Sequence, residues 1–143
     1  MNMLFLAVLA TLALLGCSND RSDRKETART PQTRIVNLKE EEYDSYIGRR
    51  SIPRVHMLTE GVRPGEEGWL GNPHPIGRCE ICDAEHSREE CIEKFKADFY
   101  ARLARDPEFK EAVLGLRGNR LGCYCKPLDC HGDAIKEYID AQG

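Results

Sequence analysis

Apolar residues along this chain change spacing several times, and each change marks a structural boundary. Met3 to Gly16 is an unbroken apolar run, and residues 17–33 are polar with no apolar period. Regular patterning begins at Arg34-Ile35-Val36-Asn37-Leu38, a short β-branched stretch that predicts a first, buried strand. Tyr46-Ile47-Gly48-Arg49-Arg50 reads as a second short strand or a turn. Pro53, Gly61, Pro64, Gly65 and Gly68 predict a long surface loop over residues 51–68. Pro73 and Pro75 extend irregular chain through Gly77, because neither a helix nor a central strand accommodates them. Helical spacing starts after Ser87. Ser87 and Glu90 form a Ser-x-x-Glu capping pair, and Ile92, Phe95, Phe99 and Leu103 recur at steps of three and four. Asp106-Pro107 opens a second helix with Phe109, Ala112, Val113 and Leu116 inward, ended by Gly115 or Gly118. Arg120 to Cys125 alternates like a strand, with Leu121, Cys123 and Cys125 on one face. Asp129 is placed to cap a last helix whose stripe is Ala134, Ile135, Tyr138 and Ile139. Strand, two helices, strand, helix predicts an α/β fold: one small domain with a short, partly parallel sheet flanked by helices.

At 143 residues the chain holds one domain plus tails. The apolar run is too short to span a bilayer comfortably but has the length of a signal-peptide core. It ends in Leu14-Leu15-Gly16-Cys17, which resembles a bacterial lipobox, although Met1-Asn2 carries no basic residue. The expected organisation is a signal peptide over 1–16, a lipidated Cys17, a flexible tether over 17–33 and a domain over 34–143. The implied localisation is that of a membrane-anchored lipoprotein, with the lipid on Cys17 as the membrane contact. A misassigned N-terminus implies a cytoplasmic protein instead. A net charge of −3 and dispersed basic residues exclude a broad nucleic-acid surface.

The candidate chemistry is concentrated in cysteine and histidine. Cys123, Cys125, Cys130, His131 and Asp133 fall within a dozen residues, and Cys79-x-x-Cys82 adds a second thiol pair. Three readings stand side by side. Cys123, Cys125, Cys130 and His131, or two of these with Cys79 and Cys82, can hold zinc. Six cysteines remain once Cys17 is lipidated, and export would let them form disulfides. Cys130 can serve as a nucleophile or His131 as a general base, with Asp133 nearby, because thiolates are stabilised at helix N-termini. Asn37, Arg49 and Asn72 are candidates to line the same sheet edge and bind a small anionic or nucleotide-like ligand. Arg50 could join Arg49. His56 and His74 have no partner in the pattern, and Trp69 reads as a core anchor. The rival function is a non-enzymatic, membrane-anchored lipoprotein whose cysteines are zinc ligands or disulfides.

One family carries these residues together. Ile35-Val36-Asn37-Leu38, Tyr46-Ile47-Gly48-Arg49, Gly71-Asn72-Pro73 with Ile76-Gly77, Arg88-Glu89-Glu90, and Leu116 through Pro127 with Cys130-His131-Gly132-Asp133 resemble the domain of unknown function 4326 family over about residues 34–141. The resemblance implies a bacterial or phage domain with no established activity. It nominates Asn37, Gly48, Arg49, Asn72, Cys123, Cys125, Cys130, His131 and Asp133 as the shared constellation. The 51–68 loop and the Cys79–His86 segment are elaborations on that pattern, which makes Cys79 and Cys82 a local staple or zinc clip.

Overall fold

The structure is a computed structural model and describes residues 31–143. The expected signal peptide, Cys17 and most of the tether lie outside the described residues. In chain order the elements are β1 (Arg34–Asn37), β2 (Ser45–Tyr46), β3 (Gly77–Cys79), β4 (Ala84–His86), α1 (Arg88–Arg105), α2 (Pro107–Leu114), β5 (Arg120–Cys123) and α3 (His131–Ala141). β5 is the middle strand of a parallel sheet ordered β1-β5-β2, while β3 and β4 form a separate antiparallel hairpin. The register pairs Arg34 with Arg120 and Asn37 with Cys123 on one side of β5, and Tyr46 with Gly122 on the other. This is the mixed α/β domain with a parallel sheet that the apolar spacing predicts. Among the described residues no helix is long and apolar enough to cross a membrane.

The helices form where their caps and stripes direct. Ser87 accepts from the Glu90 N–H while Glu90 accepts from the Ser87 N–H, a complete capping box. Cys91, Phe95, Phe99 and Leu103 make the buried stripe of α1 at four-residue steps; Ile92 is only partly buried. Asp106 Oδ1 accepts from the Phe109 N–H and caps α2, with Pro107 in its first turn. Phe99 is the hub of the core. Its ring stacks on Phe95 at 5.5 Å between centroids and meets Phe109 and Tyr138 edge-on at 6.0 and 5.9 Å. Ile135 and Ile139 of α3, Leu121 of β5 and Ile47 close the same cluster.

Four local expectations are corrected. The 51–68 segment is made of turns, yet Val55 and Met57 are buried, and the Met57 carbonyl accepts from Arg102 Nη1 at 2.6 Å. Irregular chain after Trp69 gives way at Gly77 to the β3–β4 hairpin, which has no apolar alternation to announce it. β5 ends at Cys123, so Cys125 belongs to the following turn. Asp129 does not cap α3; Cys130 does, and His131 is the first helical residue. At the other boundary Thr33 is fully buried and its hydroxyl accepts from the Gly118 N–H at 2.8 Å. Trp69 is the core anchor its type suggests, edge-on to Phe109 at 5.6 Å.

The start of β5 is held by charge. Asp44 accepts from the Arg120 backbone N–H, from Nε and from Nη2 at 2.8, 3.1 and 2.9 Å. These bonds, led by those from the Arg120 side chain, lower the Asp44 carboxyl from its ordinary 3.8 to about 2. A depressed carboxyl adds stability that is present above its unfolded pKa and lost as pH falls through the folded one. Wild type is therefore expected to be more stable than Asp44→Asn at pH 5, with the difference vanishing between pH 4 and pH 2; urea midpoints across that window measure it. Phe99→Ala, which removes the hub ring, is expected to cost about 3–5 kcal/mol in urea denaturation at neutral pH.

Candidate functional site

Parallel pairing puts the carboxyl ends of all three sheet strands on one edge: Asn37, Tyr46 and Cys123. The chain leaves β5 there, turns, and enters α3. The turn is closed by the Leu128 N–H donating to the Cys125 carbonyl at 2.8 Å. Asn37 ties it to β1, since its Nδ2 donates to the Lys126 carbonyl at 2.8 Å. α3 then begins with an uncommon cap. Cys130 Sγ accepts from the Gly132 N–H at 3.4 Å, while Asp133 Oδ2 accepts from the Cys130 N–H at 2.9 Å. This is the capping-box arrangement with a thiol in the usual place of a hydroxyl. Asp133 Oδ1 also holds Lys126 Nζ at 2.6 Å. Gly132 lets Ile47 pack close: a Cβ there would stand 2.5 Å from Ile47 Cδ1, which would have to shift.

Three sulfurs and an imidazole crowd behind this cap. Cys130 Sγ lies 2.7 Å from Cys123 Sγ and 3.6 Å from His131 Nδ1. His131 Nε2 sits 2.7 Å from the Ile47 carbonyl, which can only accept, so Nε2 carries the ring proton. Burial lowers the His131 pKa and keeps the ring neutral, leaving Nδ1 as a lone pair aimed at Cys130. Hydrogen bonds from Cys123 and Cys130, with help from Arg88, lower the Cys125 thiol. The same sharing raises Cys123, chiefly through Cys125, and Cys130, chiefly through Cys123. The donor atoms of Cys123, Cys130 and His131 all fall within 4.8 Å of one another, so the group can hold a metal ion.

A cleft of about 290 Å³ opens over these groups, walled by Tyr46, Arg49, Asn72, His74, Arg88 and Tyr124 among others. Its floor includes Cys123, Cys125, Cys130 and His131. Arg49 is set in the wall by Gly71, where a Cβ would come within 2.7 Å of Arg49 Cα. Arg49 Nη1 is buried and has no hydrogen-bond partner among the described residues. Asp129 is the one carboxylate against the two guanidinium groups of Arg49 and Arg88 lining the cleft.

A second donor group lies beside the cleft. His74, Cys79, Cys82 and His86 each offer an atom within 4.8 Å of the others. Cys79 and Cys82 thus gather with two histidines, not with the Cys123–His131 group. All six described cysteines are free thiols.

The structure separates the sequence candidates by position. Arg49, Asn72, Cys123, Cys125, Cys130 and His131 meet at the cleft. Asn37 and Asp133 stand outside it and shape the turn and the cap. Asn72 spends its amide locally, donating to the Cys91 carbonyl and accepting from the His74 N–H. Arg50 turns away, its Nε donating to the Pro53 carbonyl. Two residues outside the predicted site, Arg88 and His74, belong to it. His74 was expected to stand without a partner, yet it faces both thiols of the second group. Its spacing, His-x4-Cys-x2-Cys-x3-His, was the available signal.

The whole described domain matches one family, a domain of unknown function (DUF4326), over residues 32–141. The chain belongs to this family. It is also 48% identical over 54 residues to an uncharacterized 12.4 kDa protein in the nrdA-td intergenic region of Enterobacteria phage T4. That match covers 38% of this chain and 50% of the phage protein, so the chain spans about half the length of the curated relative it matches. No solved structure matches.

The thiol cap leans on Asp133 for its N–H bond. Asp133→Ala is expected to cost about 0.5–2 kcal/mol, the usual worth of a helix cap, read as a lowered urea midpoint.

Proposed function

We propose that the cleft binds a small anionic ligand of nucleotide-like size, held through a phosphate or carboxylate. The observation that carries this reading is Arg49, which lines the cleft and whose buried Nη1 has no partner among the described residues. A buried guanidinium donor left unpaired costs free energy, and an oxyanion is the partner that a planar fork of N–H groups fits best. Three further features support it. The cleft lies beyond the carboxyl ends of parallel strands, the usual place for ligands in such sheets. Arg88 gives it an excess of positive charge over Asp129. Tyr46 and Tyr124, edge-on at 6.4 Å, offer ring faces at its rim.

Its volume of about 290 Å³ is near the lower end of the roughly 300–1,000 Å³ range of small-molecule sites. That size suits a single nucleotide. Cys125, Cys130 and His131 would then face the bound ligand from the floor. Asp133 would act through the α3 cap instead of touching the ligand.

Calorimetric titration with inorganic phosphate, nucleoside monophosphates and the matching nucleosides tests the reading. Monophosphates are expected to bind and the nucleosides to bind at least about tenfold more weakly, the value of a charge-assisted hydrogen bond. Arg49→Gln should weaken monophosphate binding by a similar factor while the urea midpoint holds or rises. Nucleosides that bind as tightly as their phosphates, or an Arg49→Gln protein that binds normally, would overturn the anion reading.

A further inference from the structure

The β3–β4 hairpin lacks the ordinary reason to fold. Its six residues are Gly77, Arg78, Cys79, Ala84, Glu85 and His86, and only Cys79 and His86 are buried. Arg78, Glu85 and the turn residue Ile81 are exposed. An isolated two-stranded hairpin is marginal in water without a hydrophobic face to bury. The residues this one buries are a thiol and an imidazole. Cys82 from the turn and His74 from the preceding proline-flanked segment complete a ring of four donors.

Two distances within that ring lie close to those of a coordination shell. Zinc bonds of about 2.3 Å to sulfur and 2.0–2.1 Å to nitrogen place tetrahedral ligand atoms roughly 3.3–3.8 Å apart. His74 Nδ1 lies 3.6 Å from Cys79 Sγ and 3.2 Å from Cys82 Sγ. The other nitrogen of His74 is held by Asp98 Oδ2 at 2.6 Å, from α1. A carboxylate on the far nitrogen is the support that metal-bound histidines commonly have, because it fixes both tautomer and ring orientation. His86 adds an independent sign. It is 6% exposed, and its Nε2 is buried with no hydrogen-bond partner among the described residues. A buried ring nitrogen without a partner is costly unless something not drawn from the protein satisfies it.

We propose that His74, Cys79, Cys82 and His86 bind one zinc ion as a closed, tetrahedral structural centre that folds the hairpin and fixes the adjoining wall of the cleft. Two thiolates and two imidazoles match zinc in softness, and four ligands fill a tetrahedral shell and leave no open position for a substrate. Binding releases the two thiol protons to solvent and changes no oxidation state. Through His74 and Asp98 the ion ties the hairpin to α1, and Pro75 and Ile76, next to His74, line the cleft. The centre stands whether or not the cleft binds an anion, since none of its donors is Arg49 or Arg88.

The full chain, loaded with excess zinc and desalted, should retain zinc by mass spectrometry of the metal. Cys79→Ser with Cys82→Ser should lose about one equivalent relative to wild type, whereas Cys123→Ser with Cys130→Ser should keep it. Cobalt substitution should give the intense visible absorption of a tetrahedral site together with sulfur-to-cobalt charge transfer. A variant that fails to fold does not blunt the test, because two further substitutions preserve the shell. His86→Cys should still bind metal and intensify the cobalt charge-transfer band. Asp98→Asn should weaken zinc against a competing chelator by about 10–100-fold while four ligands remain. Zinc content unaffected by the Cys79/Cys82 pair, a cobalt spectrum of octahedral type, or a wild-type chain that takes up no zinc would each overturn the proposal.

Discussion

β5 has a neighbour on both sides, and the cleft depends on that. Its pairing with β1 brings Asn37 beside Cys123, and its pairing with β2 brings Tyr46 and the Ile47–Arg49 segment to the same edge. The segments are far apart in sequence, so parallel hydrogen bonding is what makes neighbours of them. From that edge the chain has one short turn in which to reach α3; the turn carries Cys125 and Cys130, and Cys123 and His131 stand at its two ends. Asn37 grips its carbonyl, Asp133 grips its last N–H, and Ile47 takes the proton of His131. Loss of the central strand would scatter the arginine, the thiols and the imidazole at once.

The two sulfur-rich groups solve different physical problems. Cys123, Cys130 and His131 sit against Ile47, Phe95 and Leu121, and Phe95 meets the His131 ring edge-on at 4.8 Å. Cys123 and Cys130 are part of the hydrophobic core, whose larger members are aromatic and aliphatic side chains. The hairpin group has no comparable support, since the donors themselves are what the hairpin buries. The first group is therefore placed by the fold, and the second, with the zinc proposed for it, would help to make its part of the fold. This contrast is why free thiols in the cleft are compatible with a reactive or ligand-facing role, whereas those of the hairpin read as cross-linking.

The legible parts of the chain were those whose signals are local. Ser87 with Glu90, Asp106 with Pro107, and the Phe95-Phe99-Leu103 stripe each state a helix within a few residues, and each is found. β1 and β5 were readable as short β-branched or alternating runs, and their ends pointed to one edge; Arg49, Asn72 and the Cys123–His131 segment line the cleft there, while Asn37 and Asp133, expected with them, stand outside it. The hairpin was not legible, because strand patterns are recognised by apolar alternation and here the inward positions are Cys79 and His86. His74 depends on Asp98 from another element, a pairing that no window of sequence contains. Asp129 outranks Cys130 as a helix cap by residue type. The chain uses the thiol nonetheless, because Asp133 supplies the complementary half of the box and Asp129 leaves its own carbonyl to Arg88.

Strand direction also decides where the molecule can be held. β1 begins at the end of the sheet opposite the cleft, where Thr33 is locked under Gly118. α3 starts at the cleft and runs away from it, so Gly143 finishes beside Pro31 and Arg117 at that same distal end. An immobilising linker or fusion partner attached at either extremity of the domain would emerge from its back. The arginine-lined mouth would be left facing open solution.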